Sequence, residues 1–184
     1  MAASLLTLDT VCVIYLAAPS ESHLPEERLA LEQLVDRAII GEVQLQLTAS
    51  FDRDLGRLAD SEAMAARTAW LAEAPVARRR AAGLFRLDAS VLDGPDVLAG
   101  DADTAMADAL QGLLVSGRAL NRVLDDPSSA GKVYSDVDHL IAHWRSGADA
   151  FVTIDDKLDR VHRQRLAELG IVVLRPTEAV ASSN

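Results

Sequence analysis

Four aspartates stand where acid chemistry could be assembled. Asp9 ends the apolar run 5–8, and Asp155 follows the β-rich run 150–153. Asp54 lies in LTASFDRDL and Asp136 in SDVDHLIAHW, each near the start of a helical pattern. Gathered at one place, such carboxylates repel one another and shift toward protonation unless a cation joins them. Mg²⁺ and Mn²⁺ are hard cations that take oxygen ligands, and Mg²⁺ keeps several waters while touching few carboxylates. One or two such ions can activate a water, stabilise a leaving oxygen and neutralise a phosphoryl group, which is what phosphodiester hydrolysis requires. Singly, each aspartate has a simpler explanation as a helix cap contributing about 1 kcal/mol. The joint occurrence at strand ends and helix starts is what favours a site.

The elements that must position these residues follow from periodicity. Residues 5–8 read as a strand and 11–18 as a short helix stopped by Pro19. Residues 26–40 carry apolar positions at helical spacing with Gly41 as the C-terminal cap, and 43–47 alternate as a strand. Residues 48–82, rich in Ala and Arg, predict one or two helices, and 83–103, with three Gly and repeated Asp, predict irregular connection. Helix is expected again at 104–114, a loop at 125–129, helix at 136–144, and an amphipathic helix at 157–169 closed by Gly170. A last strand covers 171–174 before Pro176. Strands alternating with helices predict a three-layer α/β/α sandwich with a mostly parallel sheet, in one domain spanning 1–184. Ligands of such sheets lie beyond the carboxyl ends of the strands, where Asp9 and Asp155 would meet.

The 184 residues are 49% hydrophobic, enough for one sizeable core, and the formal charge of −10 is opposite to the basic footprint of a protein that coats polyanions by charge alone. Cys12 is the single cysteine, so no internal disulfide forms, and a reducing cytoplasmic setting is expected. The first Lys or Arg is Arg28 and Asp9 interrupts the first apolar stretch, which argues against a signal peptide. No window approaches the roughly 20 apolar residues of a membrane span.

With LLTLDT, LTASFDRDL and SDVDHLIAHWRSGADAFVTIDDKL followed by LAELGIVVLRPTE, the chain resembles the PIN-domain family of metal-dependent nucleases. Residues 60–130 match no part of that pattern. Family members place an Asp after the first strand, an acidic residue after a Ser or Thr beyond the second, an Asp opening a later helix, and Thr-x-Asp closing the next strand. The resemblance therefore implies Asp9, Asp54, Asp136 and Asp155 as catalytic metal-site residues. Asp9 and Asp155 would be strand-end ligands, Asp136 a ligand or water-mediated anchor, and Asp54 the group that positions the water. Thr153 would orient a ligand carboxylate. Asp52 competes with Asp54, and Asp138 with Asp136; spacing from Thr48 and counting back from Gly147 favour Asp54 and Asp136. Val11 stands where the family carries Asn, and Asp where it usually has Glu.

The implied activity is a Mg²⁺- or Mn²⁺-dependent nuclease, an endoribonuclease with RNA as substrate, and possible membership of a toxin–antitoxin pair brings an antitoxin protein or a homodimer as partner. A PIN-like binding or scaffold protein without hydrolysis is the alternative. A phosphatase with an Asp-x-Asp nucleophile is disfavoured because Val11 follows Asp9-Thr10. Arg78, Arg79 and Arg80, with Arg67 and Arg86, form the most basic segment and are candidates for phosphate contact, against the simpler view of a solvated helix face. His139 and His143 share the i, i+4 spacing of a zinc pair but lack the glutamate and third ligand, so burial or a hydrogen bond near the site is expected. Trp70 and Trp144 read as core.

Overall fold

The computed structural model describes residues 3–18, 23–56, 61–76, 81–83, 98–115 and 127–183. Among these, four strands form one all-parallel sheet: β1 (Ser4–Leu8), β2 (Val43–Gln46), β3 (Ala150–Val152) and β4 (Val173–Leu174), ordered β2-β1-β3-β4. The helices are α1 (Thr10–Ala17), α2 (Pro25–Ile39), α3 (Ala49–Gly56), α4 (Ser61–Glu73), α5 (Asp101–Leu114), α6 (Pro127–Ser146), a π-helical turn (Lys157–His162) that runs into α7 (Arg163–Glu168), and α8 (Pro176–Ser182). Parallel neighbours need crossovers, and the helices between successive strands supply them. The fold is α/β, compatible with three layers.

Alternation along the strands puts a separate core on each face of the sheet. Leu6, Leu8, Val43, Leu45, Ala150 and Val152 join Val13, Leu31, Leu34, Phe51 and Ala179 from α1, α2, α3 and α8. Phe151 and Val173 turn the other way, to Leu110, Leu113, Leu140, Ile141, Leu158 and Leu166. Trp70 packs against the first cluster and Trp144 against the second. Gly41 and Gly170 end their helices at φ 79° and 80°, a left-handed conformation that costs a side chain strain.

Several expectations change. Pro127-Ser128-Ser129, expected in a loop, open α6, because proline at the first turn gives up an N–H that has no helical partner there. Asp101 to Asp103 are helical, with the Asp103 carboxylate accepting from Gly100 N at 2.9 Å. The helical reading of 48–82 ends early: α4 stops at Glu73, and Val76 and Ala81 bridge in parallel to Leu45 and Thr48. Residues 84–97, most of the expected irregular connection, and 125–126 of the expected loop lie outside the described residues. Among the described residues, no helix is long and apolar enough to cross a membrane.

Gln46 breaks the alternation expected of β2, because it is buried. Its Nε2 donates to Thr7 Oγ1 at 2.8 Å and to Ser146 Oγ at 2.7 Å, which satisfies the amide under the sheet. The same Thr7 hydroxyl lies 2.9 Å from His143 Nδ1. Its ring meets Phe151 edge-on at 5.6 Å between centroids.

His143 is 1% exposed, and burial pushes its pKa down from 6.5 to about 4, the Asp149 charge opposing weakly. The unfolded chain binds this proton more readily than the native one between those values, so stability falls as pH drops from about 6.5 to 4. Urea unfolding across this range should show the wild type losing up to about 3 kcal/mol more than His143→Gln; parallel curves for the two proteins would contradict the assignment.

Candidate functional site

The chain passes from β1 out to β2 on one side, then returns to β3 on the other side of β1. The cleft beyond the carboxyl ends of β1 and β3 is therefore the switch point at which open α/β sheets place ligands. Leu8 pairs with Val152, so the two residues after the central strands leave together, and Asp9 N donates to Val152 O at 3.0 Å. Asp9 and Thr153 meet there: the Thr153 hydroxyl donates to Asp9 Oδ2 at 2.5 Å and accepts from Asp155 N at 3.0 Å. Thr153 thereby orients two chain segments at once.

The capping explanation fails for three of the four aspartates. Asp9 occupies the N-cap of α1 but makes no side-chain capping hydrogen bond. Asp136 lies in the middle of α6, where there is nothing to cap. Asp54 sits in the last turn of α3, where a negative charge opposes the helix dipole. Asp155 does hold the turn that follows it, accepting from Lys157 N at 2.6 Å through Oδ1.

The competing aspartates separate cleanly. Asp54 Oδ1 accepts from Ser135 Oγ at 2.9 Å, and Oδ2 meets His139 Nε2 at 2.9 Å and the Thr10 hydroxyl at 3.2 Å. Asp52 is exposed on another face of α3. Asp136 approaches the Lys157 ammonium at 3.8 Å, whereas Asp138 is buried against Arg53 Nη2 at 2.7 Å, and the same guanidinium nitrogen reaches Ser50 at 2.7 Å. Two residues apart on a helix, Asp136 faces the cleft and Asp138 the α3 interface.

Burial raises the carboxyl pKa of Asp9, helped by Asp155 and opposed by His139 and Thr153. Burial also carries Asp136 up to about 6, with the Asp9 and Asp155 charges adding and Lys157 and His139 opposing. Asp54 goes the other way: burial acts to raise it, but the hydrogen bonds and charge at His139, with Ser135 and Thr10, bring it below its ordinary value. For His139, burial acts to lower the pKa, and the Asp54 bond together with the Asp9, Asp54 and Asp136 charges outweighs it, so the imidazole pKa is raised above its ordinary value.

Thr10, Thr48, Ser135 and Lys157 were not expected as partners in the cleft. Adjacency to Asp9 and Asp136, and the i, i+3 spacing of Asp136 and His139, were the available signals. His139 lies in the site, whereas His143, one turn further along α6, lies under the sheet with Thr7, so the two never form a zinc pair. Arg67, counted in the basic segment, is 7% exposed and buried in the protein, so it offers no phosphate contact; Arg78, Arg79, Arg80 and Arg86 lie outside the described residues.

Among the described residues, no group of three or more His, Cys, Asp or Glu side chains is arranged to hold a metal ion. Mg²⁺ asks for less, since it is commonly bound through one or two carboxylates and keeps waters in its remaining positions. Asp9 and Asp136 are oxygen donors close enough for the Asp9 charge to raise the proton affinity of Asp136, and they have the chemistry for that ion. Comparison with protein-family models, with curated proteins and with solved structures returns no match to this chain.

The folded pKa of Asp136 lies above its unfolded value of about 3.8, so the native state binds this proton more tightly and loses stability as pH rises through the interval up to about 6. Asp136→Asn in metal-free buffer should therefore be more stable than wild type at pH 7.5, by about 1–2 kcal/mol after allowing for solvent at the partly exposed carboxyl, with the gap closing toward pH 4. A gap that widens on acidification would contradict the assignment. Asp138→Ala should instead cost about 3 kcal/mol at pH 7, because it takes the carboxylate away from a largely buried guanidinium; an unchanged midpoint in chemical denaturation would remove Asp138 from that structural role.

Proposed function

We propose that this chain is a metal-dependent phosphodiester hydrolase of PIN type, an endoribonuclease using Mg²⁺ or Mn²⁺. One observation carries the reading: Asp9 and Asp136, from segments 127 residues apart, come near enough at the carboxyl edge of a parallel sheet for the Asp9 charge to raise the Asp136 pKa, and neither carboxylate makes a helix-capping hydrogen bond. A fold retains such an arrangement at a cost in stability, and a bound divalent cation would remove that cost. The resemblance of LLTLDT, LTASFDRDL and SDVDHLIAHWRSGADAFVTIDDKL to the PIN family supports the same chemistry, and with it a place as the ribonuclease of a toxin–antitoxin pair.

Asp9 and Asp136 would hold the ion, with Asp155 near enough to add its charge. When bound, the ion supplies an activated water and neutralises charge on the phosphoryl group. Thr153 fixes the Asp9 carboxylate through its 2.5 Å hydrogen bond. Lys157, held beside Asp136, presents an ammonium at the rim of the cleft for a substrate phosphate. A second reading, a PIN-like protein that binds RNA or a partner without cutting, draws on the missing three-ligand group among the described residues and on the tie between Asp54 and His139.

Incubation of end-labelled RNA with the purified chain and Mn²⁺ or Mg²⁺ should yield internal cleavage that a chelator abolishes. Asp9→Asn and Asp136→Asn, shown to fold by circular dichroism, should each lower the rate by about 100-fold or more, the scale of losing one electrostatic stabiliser of the transition state. RNA that is retained on the protein but left intact with either metal would favour the binding reading, and full activity in both variants would sink the catalytic one.

A further inference from the structure

The least expected feature of the cleft is the imidazole at its centre. His139 joins three elements: Nδ1 meets the hydroxyl of Thr48, just beyond β2, at 2.5 Å; Nε2 meets Asp54 of α3 at 2.9 Å; and the same Nε2 lies 3.3 Å from the hydroxyl of Thr10 at the start of α1. The ring is almost wholly buried, and Thr48 is completely so. A carboxylate only accepts, so Nε2 must carry the hydrogen directed at Asp54. The other oxygen of Asp54 accepts from Ser135, one turn before His139 on the same helix. Asp54 therefore has both oxygens engaged by donors from α1 and α6.

Asp9 and Asp136 differ in this respect. Asp9 accepts through Oδ2 from the Thr153 hydroxyl and also from the backbone N–H of the adjacent Thr10, with no tie to α3 or α6 among these bonds, and Asp136 meets Lys157 at 3.8 Å, beyond hydrogen-bond length. Ser135, Thr10 and His139 take up three of the roughly four lone-pair sites of the Asp54 carboxylate, so a metal ion would have to share its oxygens with hydrogen bonds that already fix their direction.

We propose that His139 is a positioning residue that retains Asp54 as its own partner, so that the cleft binds its divalent ion through Asp9 and Asp136 while Asp54 stays outside the ligand set. The inference rests on the metal-dependent reading above, and it departs from the four-aspartate set that the sequence suggested. Asp54 and His139 together clamp α3 to α6, and that clamp sets where Asp136 stands relative to Asp9. Residues that orient ligands without touching the ion commonly change metal affinity or activity by about 10- to 100-fold when replaced.

Nitrogen-15 and proton NMR of the imidazole, on the whole chain, tests this. In metal-free protein the Nε2 proton of His139 should be protected from exchange and should shift or vanish in Asp54→Asn; an unaltered signal in that variant overturns the pair whether or not metal binds. On titration with Mg²⁺, resonances around Asp9 and Asp136 should move while the Nε2 proton persists. Loss of that proton as Mg²⁺ saturates would show Asp54 passing to the ion and would overturn the proposal. If no resonance responds to Mg²⁺, the metal-dependent reading fails, and with it the ligand assignment. His139→Gln, which can keep a donor near the place of Nε2, should retain Mg²⁺ affinity, whereas His139→Leu should lose about 10- to 100-fold; equal losses in the two variants would make the ring itself a ligand and overturn its positioning role.

Discussion

The cleft depends on the parallel pairing of β1 with β3. Asp9 and Thr153 are 144 residues apart, and they meet because Leu6, Thr7 and Leu8 lie in register with Ala150, Phe151 and Val152, so the two strands end at one level. An antiparallel pairing would send these ends to opposite edges of the sheet. A slip of one residue would turn Leu8 and Val152 away from their shared core and carry Asp9 out of reach of Thr153. The register is protected by the two hydrophobic clusters, since Ala150 and Val152 belong to one and Phe151 to the other.

Around that pairing the molecule keeps two polar networks on one helix, and their physics differ. His143 is enclosed by Thr7, Gln46 and Phe151, with no carboxylate in hydrogen-bond contact among the described residues, and it is neutral. His139, one turn earlier, faces Asp54 and the charges of Asp9 and Asp136, which raise its pKa. The same residue type, one turn apart on α6, thus has its pKa shifted in opposite directions, set by whether its neighbours are hydroxyls or carboxylates. Arg53 with Asp138 forms a third contact from α6, a buried ion pair that ties the helix to α3 and leaves Asp136 to the cleft.

At the far end, Arg175 bridges Asp156 and Asp159 at the π-helical turn, and Glu178 accepts from Arg163 and from Arg175 N. Asp156 and Asp159, three residues apart, lie close enough to share one guanidinium. This lock holds the segment just after Asp155 against α8, which limits how far the edge of the cleft can move.

Local order was legible in the sequence wherever the apolar period was clean. The strand and helix starts at 4–17, the helix at 25–39 with its glycine end, and the pattern from 136 to 174 follow from spacing and caps, because those signals act over a few residues. Position alone also drew Asp9, Asp54, Asp136 and Asp155 together as candidates. Periodicity by itself could not rank Asp136 against Asp138, or Asp54 against Asp52, since both members of each pair have the same chemistry and the same local pattern. Nor could it show that Gln46 is buried, that Arg67 is enclosed, or that His139 holds Asp54. Those outcomes turn on which side chain finds a partner from a strand or helix far away in the chain, and only the tertiary packing of α3 and α6 onto the parallel sheet decides that.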